Sequence, residues 1–295
     1  MIIDAHTHAF PAAAVEDPGS WAEAHNELHW RDLVLPSKGK ASLQGWVKNH
    51  SFPEFMDRDN IDRCVLLGWY WETPKTCDLH NQEMGESLQN FPDRFSALAA
   101  VHPDGPSPDR LVSWALENRF AGFGELHPTV QGSSLQDPFW SELANRASEA
   151  GLVFNFHVTE PIGRKHTGRI PTSFEDFLHF IENHPKLKII LSHWGGGLFL
   201  YELNPYVRQR FQNVTYDTSA SPLLYGPKIF STALDIVGAE KILFGSDFPL
   251  KLYPRKKDQP GWKRFLDDIQ AQKIAPGDTD SILGGNAQQL FGLDR

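Results

Sequence analysis

Residues 187–197 read LKIILSHWGGG, an apolar, β-branched run that ends in a polar pair and three glycines. Both faces of the run Leu187–Leu191 are apolar except for one lysine, which is typical of a strand covered by helices on both sides of a parallel sheet. Seven further runs have the same character. The eight predicted strands are Ile2–Ala5, Arg63–Gly68, Phe95–Val101, Ala121–Glu125, Leu152–Phe156, Leu187–Leu191, Val214–Asp217 and Lys241–Gly245. From the second strand onward their midpoints lie about 25–35 residues apart, the length of one strand, one helix and two short loops.

The segments between these strands have the signals of helices. Asp137 and Pro138 supply an N-cap and a first-turn proline before an apolar stripe with helical spacing. Thr172 and Glu175 have the spacing of a capping box. Eight strand–helix units predict an α/β fold, a (β/α)8 TIM barrel that forms a single domain over residues 1–295. An open, doubly wound sheet is the alternative, but no G-x-G-x-x-G sequence follows the first strand.

The interval between the first two strands is longer than the others. Residues 9–50 form an insertion with three prolines and three tryptophans. A long insertion on the catalytic face of a barrel often serves as a lid over the active site. A packed aromatic subdomain without a catalytic part is an equally good interpretation, and the sequence does not separate the two.

The composition limits the class of partner. The chain of 295 residues has 28 Lys and Arg against 37 Asp and Glu, a net charge of −9, and a field of that sign repels nucleic-acid backbones. No stretch has the roughly 18 apolar residues of a membrane helix, and the first residues do not resemble a signal peptide. Two cysteines are too few for a disulfide framework. We expect a cytoplasmic protein that acts on a small molecule, without a nucleic-acid or membrane partner.

Residues able to bind a metal follow five of the predicted strands, always at the carboxyl end. His6 and His8 follow the first strand, and both can reach one ion because side chains at i and i+2 point the same way in an extended segment. The other four strand ends carry Glu125, His157, His193 and Asp247. Active sites of barrels lie at this end of the strands. Imidazole and carboxylate are ligands that suit zinc or a similar first-row divalent cation.

Each of these residues alone has an ordinary structural explanation. A lone H-x-H sequence occurs by chance, and a histidine at a strand end is more often hydrogen-bonded than metal-bound. Asp247 could cap the turn before Pro249. The combination is harder to assign to chance, because no similar cluster appears at the amino ends of the strands. The five strand ends together therefore predict a metal site.

Three motifs resemble a known family. DAHTH (residues 4–8), LSHWGGG (191–197) and ILFGSDFP (242–249) look like the amidohydrolase superfamily and, more narrowly, its amidohydrolase-related branch, which includes aminocarboxymuconate semialdehyde decarboxylase. The resemblance implies His6, His8, His157 and Asp247 as metal ligands, with His193 as a further ligand or as a catalytic base beside the metal. Many dinuclear members carry a lysine at the end of strand four, where this chain has Glu125, similar to members that bridge two ions with a glutamate. We expect one divalent ion, zinc or another first-row metal, rather than two, with Glu125 as a further candidate ligand.

This ligand set predicts a metal-dependent hydrolase. A divalent ion held by neutral imidazoles lowers the pKa of bound water from about 15.7 to about 7. Asp247 would act as the proton acceptor and His193 would stabilise charge on a carbonyl oxygen, so these two are the predicted catalytic residues. The predicted reaction is hydrolysis of a small amide, ester or lactone. A non-oxidative decarboxylase on the same metal site is the alternative, and a metal-dependent nuclease is a third interpretation that the net charge disfavours.

The loop over residues 163–169 indicates the charge of the substrate. Arg164, Lys165 and Arg169 put three positive charges on the ligand-bearing face of an acidic protein, a patch that can bind a carboxylate or phosphate. We assign these three residues and Trp194 to the binding of a small anionic substrate. A solvated basic loop is the alternative. A homodimer is an oligomeric state that the family resemblance allows.

Other residues near the strand ends have no predicted ligand role. His102 and His127 each precede a proline, which favours an extended residue before it, as at a loop exit. Trp69, Tyr70 and Trp71 follow the second strand, where they can line an apolar pocket or pack under the insertion.

Overall fold

Eight parallel strands form the centre of the protein in a computed structural model that describes residues 1–35, 42–251 and 259–293. The strands are β1 (Ile3–Thr7), β2 (Arg63–Leu67), β3 (Phe95–Ala99), β4 (Gly122–Leu126), β5 (Val153–Phe156), β6 (Lys188–Leu191), β7 (Val214–Asp217) and β8 (Ile242–Leu243). Each strand pairs with the next one in the chain. The first and last strands also meet, since the backbone nitrogen of Ala5 donates to the oxygen of Phe244 at 2.8 Å. The fold is the predicted (β/α)8 TIM barrel and not the open sheet.

The predicted strands all exist, with bounds within two residues of the observed ones. The largest difference that matters for function is in β1, which continues to Thr7 instead of ending at Ala5. The register of β1 against β2 shifts between Asp4 and Thr7. His6 therefore lies within the strand, and its position depends on backbone pairing rather than on a loop.

Helices cover the outside of the barrel. They are α1 (Ala12–Glu16), α2 (Pro18–His25), α3 (Leu28–Val34), α4 (Phe52–Asp59), α5 (Pro74–Asn90), α6 (Pro108–Glu117), α7 (Pro138–Glu149), α8 (Phe174–Asn183), the single turn α9 (Ser192–Gly195), α10 (Pro205–Arg210), α11 (Ser221–Leu224), α12 (Lys228–Val237), α13 (Lys263–Gln270), α14 (Pro276–Asp280) and α15 (Asn286–Phe291). Within the described ranges, none of these helices has the length and apolar character needed to cross a membrane.

One of the two predicted helix caps is confirmed and the other is wrong. The side chain of Asp137 accepts a hydrogen bond from the backbone nitrogen of Phe139 at 2.9 Å, as the N-cap of α7. At α8 the cap is Ser173, which accepts from the backbone of Glu175 at 3.2 Å, and not Thr172. Two neighbouring hydroxyl residues can both cap a helix, so the choice depends on where the helix packs on the barrel.

Two apolar layers fill the barrel and its surroundings. The interior of the barrel contains Ile3, Ala5, Val65, Leu67, Leu98, Val153, Ile190 and Leu243. Ala287 of α15 packs against this interior cluster, and Lys188 at the start of β6 donates to the backbone of Leu290, so α15 closes the amino end. The opposite faces of the strands pack on the surrounding helices. The carboxyl end of the barrel is therefore the end left for chemistry.

The described part of the 9–50 insertion packs as an aromatic layer. Trp30 lies against Trp71 of the loop after β2, with ring centroids 5.4 Å apart. Glu27 is buried and accepts a hydrogen bond from the backbone of Glu72 at 2.6 Å, while the carboxylate of Glu72 accepts from the backbone of His29 at 2.6 Å. These contacts are those of a packed aromatic subdomain. A lid movement stays a prediction, and residues 36–41 of the insertion lie outside the described residues.

Beneath the carboxyl end, the buried carboxylate of Asp4 provides a stability prediction. The indole of Trp262 donates to Asp4 at 2.5 Å, and burial raises the pKa of Asp4 to about 6. Replacing Trp262 with Phe should lower the free energy of unfolding by about 1–3 kcal/mol, because the buried carboxyl loses a donor. The stacking of residue 262 on Phe248, with centroids 3.9 Å apart, would persist. Urea denaturation measures the change.

The matched control for this prediction is Trp114→Phe. Trp114 stacks on Phe120 with centroids 4.9 Å apart, and its indole makes no side-chain hydrogen bond within the described ranges. The control should change the free energy of unfolding by less than about 1 kcal/mol. Equal effects of the two substitutions would contradict a stabilising role for the bond to Asp4.

Candidate metal centre

His6 and His8 form one side of a cluster of possible metal ligands at the end of β1. Their Nε2 atoms lie 3.2 Å apart, and both residues are buried. The Nδ1 of His6 lies 2.9 Å from Oδ2 of Asp217. In a ring with a single proton, placing that proton on Nδ1 leaves the lone pair of Nε2 facing His8, as a metal ligand requires. The i, i+2 spacing thus brings the two imidazoles together as the sequence predicts.

Asp247 approaches the two histidines from the segment after β8. Its backbone nitrogen donates to the oxygen of His6 at 2.9 Å, which joins the first and last strands at this point. Its Oδ1 lies 3.3 Å from Nε2 of His8 and 3.8 Å from Nε2 of His6. The side chain is 19% exposed, whereas those of His6 and His8 are 0% and 3% exposed. Asp247 is therefore the member of this trio that solvent can reach.

Glu125 connects this trio to two further histidines. It is buried at the end of β4, with its two carboxylate oxygens 3.7 Å from Nε2 of His6 and 3.9 Å from Nε2 of His8. On its other side, Oε1 lies 2.8 Å from Nδ1 of His157 and 3.4 Å from Nε2 of His193. The carboxylate of Glu125 thus lies at the centre of the cluster.

His157 and His193 complete the cluster. Nδ1 of His157 and Nε2 of His193 are 3.3 Å apart, and Nδ1 of His193 lies 2.8 Å from the hydroxyl of Ser219. The backbone of His193 is in the left-handed region, with φ 57°, which turns the ring back over the end of β6. The structure therefore brings together all six predicted ligands. His157 contacts Glu125 and His193 rather than the pair on β1.

The spacing and charge of the cluster fit a divalent cation. Two ligands bonded to one ion at about 2.0–2.2 Å can lie no more than ~4.4 Å apart. The ligand atoms of His6, His8 and Asp247 lie within 4.8 Å of one another, and the individual distances given above are 3.2, 3.3 and 3.8 Å. Burial lowers the pKa of His6, but the carboxylates of Asp217 and Glu125 outweigh burial and raise it to about 10. The surplus of buried carboxylates thus favours positive charge in the cluster.

Asp217 is a site residue that the sequence motifs do not single out. It is fully buried, contacts His6, and accepts a hydrogen bond from the backbone nitrogen of His193 at 3.0 Å. Burial would raise its pKa, but the neighbouring His6 and His193 hold it well below its usual range. A signal was present in the sequence, since Asp217 ends the predicted strand Val214–Asp217 and meets the strand-end criterion that selects Asp247.

Trp194 lies in the core beside the turn after β6. Its side chain is completely buried, and its indole nitrogen donates to the hydroxyl of Ser221 at 2.6 Å. Its ring packs on Phe230, with centroids 5.3 Å apart. These contacts account for Trp194 by packing, and substrate binding by this residue stays a prediction.

The basic loop lies at the surface, apart from the histidine cluster. Arg164 and Lys165 are exposed, and the guanidinium of Arg169 donates to the backbone oxygens of Pro161 at 2.9 Å and Gly163 at 2.5 Å. No hydrogen bond or ion pair joins these three basic side chains to the cluster in the part of the chain that the structure describes. Substrate binding by this loop stays a prediction.

His127 and Tyr70 lie beside the cluster. The ring of His127 is stacked on that of His157, with centroids 5.2 Å apart and planes at 18°, and Tyr70 contacts His127 edge-on at 5.2 Å. Tyr70 also stacks on Trp69 with centroids 4.3 Å apart. Burial, with a smaller contribution from His157, lowers the pKa of His127 to about 3, so its ring is neutral near pH 7.

Known proteins similar to this chain include several decarboxylases. The gamma-resorcylate decarboxylase of Rhizobium sp. (strain MTP-10005) is 27% identical, over 72% of this chain and 75% of that protein. The crystal structure of 5-carboxyvanillate decarboxylase from Sphingomonas paucimobilis has a TM-score of 0.75 at 17% identity and covers 99% of both chains. A dihydroxybenzoic acid decarboxylase from Polaromonas sp. JS666, with bound manganese and the inhibitor 2-nitroresorcinol, has a TM-score of 0.69 at 19% identity and covers 100% of this chain and 97% of that one.

A family model matches almost the whole chain. The profile of the amidohydrolase family (Amidohydro_2) matches residues 3–293, from the first residue of β1 to beyond α15. The structural likenesses establish the same barrel fold at low identity. The chain therefore belongs to the amidohydrolase family and is an enzyme of the amidohydrolase superfamily.

Proposed function

We propose that this enzyme is a non-oxidative decarboxylase of a small hydroxylated aromatic acid, and that the reaction takes place at the histidine–carboxylate cluster. The main support for the proposal is the sequence similarity to gamma-resorcylate decarboxylase, which extends over most of this chain and most of that protein. This similarity favours decarboxylation over the hydrolysis that the ligand motifs alone predict. Hydrolysis is the competing reaction, because imidazole and carboxylate ligands support both.

One divalent first-row cation is the cofactor in this proposal. His6, His8 and Asp247 would hold it from one side, and Glu125 and His193 are within reach from the other. The manganese bound to the Polaromonas decarboxylase favours manganese over zinc. Such an ion would supply Lewis-acid chemistry, by binding the oxygens of the substrate and stabilising negative charge on them.

His157 extends this ligand set on the side of Glu125. Its Nδ1 atom, 2.8 Å from the carboxylate of Glu125, could bind the ion directly or hold that carboxylate in position. We propose that His157 belongs to the metal centre in one of these two ways.

The reaction breaks the bond between a ring carbon and its carboxylate. Carbon dioxide leaves, the electron pair of the broken bond stays on the ring carbon, and a proton replaces the carboxylate there. Asp247 is suited to deliver that proton, because its side chain is 19% exposed and can be reprotonated from solvent after each turnover. Glu125 and Asp217 are less suited, since both carboxylates are buried and bonded to histidines.

His193 is suited to orient the substrate. Its Nε2 lies 3.4 Å from Glu125 on the same side of the cluster as His157. Its Nδ1 is held by Ser219 and its backbone nitrogen by Asp217, so the ring has a defined orientation. A hydrogen bond from such a preoriented, buried group to a substrate oxygen stabilises charge more than it would in water.

The proposed reaction is tested with manganese-loaded protein and a panel of acids that includes gamma-resorcylate and 5-carboxyvanillate. We expect release of carbon dioxide and, in D2O, one deuterium on the ring carbon that lost its carboxylate. Amides, esters and lactones of similar size are tested in parallel in water labelled with oxygen-18. Labelled hydrolysis products without carbon dioxide release from any acid would overturn the proposal and support the hydrolase.

The basic loop leads to a prediction about substrate affinity. Replacing Arg169 with Ala should raise KM for an acidic substrate tenfold or more, about 1.4 kcal/mol, with kcat little changed. The guanidinium holds two carbonyls of its own loop, so its loss also loosens the segment that carries Arg164 and Lys165. Steady-state kinetics measure the split between KM and kcat. Arg264→Ala, on α13, is the control, and a KM of Arg169→Ala equal to that of the control would refute substrate binding by this loop.

A further inference from the structure

His127 has two buried ring nitrogens without a partner. The residue is 2% exposed, and neither Nδ1 nor Nε2 meets hydrogen-bond geometry with any residue in the described ranges. The backbone of Ile170 is its polar neighbour and acts on its pKa in the direction of a weak hydrogen bond. A neutral imidazole carries one donor and one acceptor. More than about 90% of buried polar groups in proteins are paired, because leaving one unpaired costs about 1–3 kcal/mol. The fold alone therefore does not use the full hydrogen-bonding capacity of the His127 imidazole.

Two buried histidines outside the cluster make hydrogen bonds within the fold. His102, which follows β3 and also precedes a proline, accepts a hydrogen bond from the backbone nitrogen of Asp104 at 3.1 Å. His80 lies 2.8 Å from the backbone oxygen of Ala9 and is bonded through its other ring nitrogen as well. His80 thus links two segments of the chain, and His102 stabilises its own turn. His127 makes no bond of this geometry in the described ranges, and its contact with the backbone of Ile170 leaves at least one ring nitrogen for another partner.

The surroundings of His127 point to a ligand rather than to the core. Glu125, two residues earlier on the same strand end, lies in the metal-ligand cluster, and His127 is stacked on His157 of that cluster. The ring of Tyr70 contacts both His127 and His157 at 5.2 Å. Tyr70 in turn stacks on Trp69, so two aromatic side chains pack beside His127. Such a combination of apolar walls and a few polar groups is typical of small-molecule sites.

We propose that His127 and Tyr70 form a specificity subsite that receives one hydroxyl group of the aromatic substrate. A phenolic hydroxyl both donates and accepts hydrogen bonds, so it can pair with a ring nitrogen of His127 whether that nitrogen is a donor or an acceptor. Sites that bind a substrate hydroxyl with a buried polar group reject analogues without that hydroxyl, because the group is then left unpaired. This inference rests on the proposed decarboxylase function and adds the feature of the substrate that the site recognises.

The test measures binding, so that it does not depend on turnover. Manganese-loaded protein is titrated calorimetrically with 2-nitroresorcinol and with 2-nitrophenol, which lacks one of the two hydroxyls. Wild-type protein should bind 2-nitroresorcinol at least tenfold more tightly. His127→Phe keeps a flat ring but has no nitrogens, and it should lose that preference while its affinity for 2-nitrophenol stays within about twofold. His127→Asn, which retains a donor and an acceptor, should recover part of the preference.

Two controls separate recognition from damage to the fold. His102→Phe removes a buried histidine in the matching position of the neighbouring strand and should keep the wild-type preference. The thermal midpoint of His127→Phe should equal or exceed that of wild type, because the substitution removes buried nitrogens that lack partners. A lower midpoint together with equal losses of affinity for both compounds would assign His127 a structural role and overturn the inference.

Failure of this inference differs from failure of the proposed function. If wild-type protein prefers 2-nitroresorcinol and His127→Phe keeps that preference, the subsite is refuted while decarboxylation stands. If wild-type protein binds neither compound and releases no carbon dioxide from the panel of acids, both proposals fall.

Discussion

Asp247→Asn should lower kcat for decarboxylation by about 10²–10⁴, the range that a positioned general acid contributes. The carboxamide keeps the shape of the side chain and an oxygen near Nε2 of His8, where the carboxylate now lies at 3.3 Å. It does not release a proton to a ring carbon near neutral pH, so the chemical step should be slowed while KM changes little. Single-turnover kinetics in D2O measure the rate of proton delivery to the product.

Asp247 is also a proposed ligand, so the metal content of the variant is measured beside its rate. A variant that binds manganese at the wild-type stoichiometry and is slow would assign the defect to proton transfer. Asp104→Asn is the matched control, since this aspartate follows β3, is 87% exposed and has its carboxylate 4.0 Å from His102. A fully active, manganese-loaded Asp247→Asn enzyme would rule out Asp247 as the proton donor.

Removal of the metal should abolish turnover, with kcat/KM reduced by at least about 10⁴, because the ion supplies the main stabilisation of charge in this proposal. Dialysis against a chelator followed by addition of Mn²⁺ should restore the activity. The ion should also stabilise the fold, by about 2.7 kcal/mol at 100 times its dissociation constant. For a chain of 295 residues this stabilisation corresponds to a rise of about 4 °C in the thermal midpoint.

The double variant His6→Ala, His8→Ala should lose both the activation and the thermal stabilisation by Mn²⁺. It removes the two imidazoles whose Nε2 atoms lie 3.2 Å apart, so added Mn²⁺ should neither restore turnover nor raise the thermal midpoint. The control is His179→Ala, which replaces an exposed histidine of α8 that is hydrogen-bonded to Asn183. Full activity of chelated protein, or a metal-dependent midpoint in the double variant, would contradict a metal centre on β1.

Local patterns in the sequence were sufficient to predict the barrel. Runs such as Leu187–Leu191 are apolar on both faces, and this property follows from burial of a parallel strand on two sides, wherever the strand pairs. The spacing of the runs leaves room for one helix between successive strands. The helix start at Ser173 was missed because two adjacent residues had equal capping ability, and packing on the barrel made the choice.

The sequence could predict those residues of the candidate site that lie at the carboxyl ends of strands. In a closed barrel all carboxyl ends face the same side, so His6 and Asp247 could be assigned to one region although they lie at opposite ends of the chain. Asp217 also meets this criterion, since it lies at the carboxyl end of β7, but no motif singles it out. Its importance appears only from its bonds to His6 and to the backbone of His193.

The sequence by itself thus determined the fold class, and it indicated which strand ends carry imidazole and carboxylate groups, because both depend on periodicity and chain order. The tertiary structure alone decided which of those groups meet. The left-handed turn at His193 directs its ring toward Glu125 and sends Trp194 into the core, and no local pattern encodes that outcome. Likewise, whether His127 has partners for its nitrogens depends on segments distant in sequence, since hydrogen bonds form between atoms that the fold brings within about 3 Å.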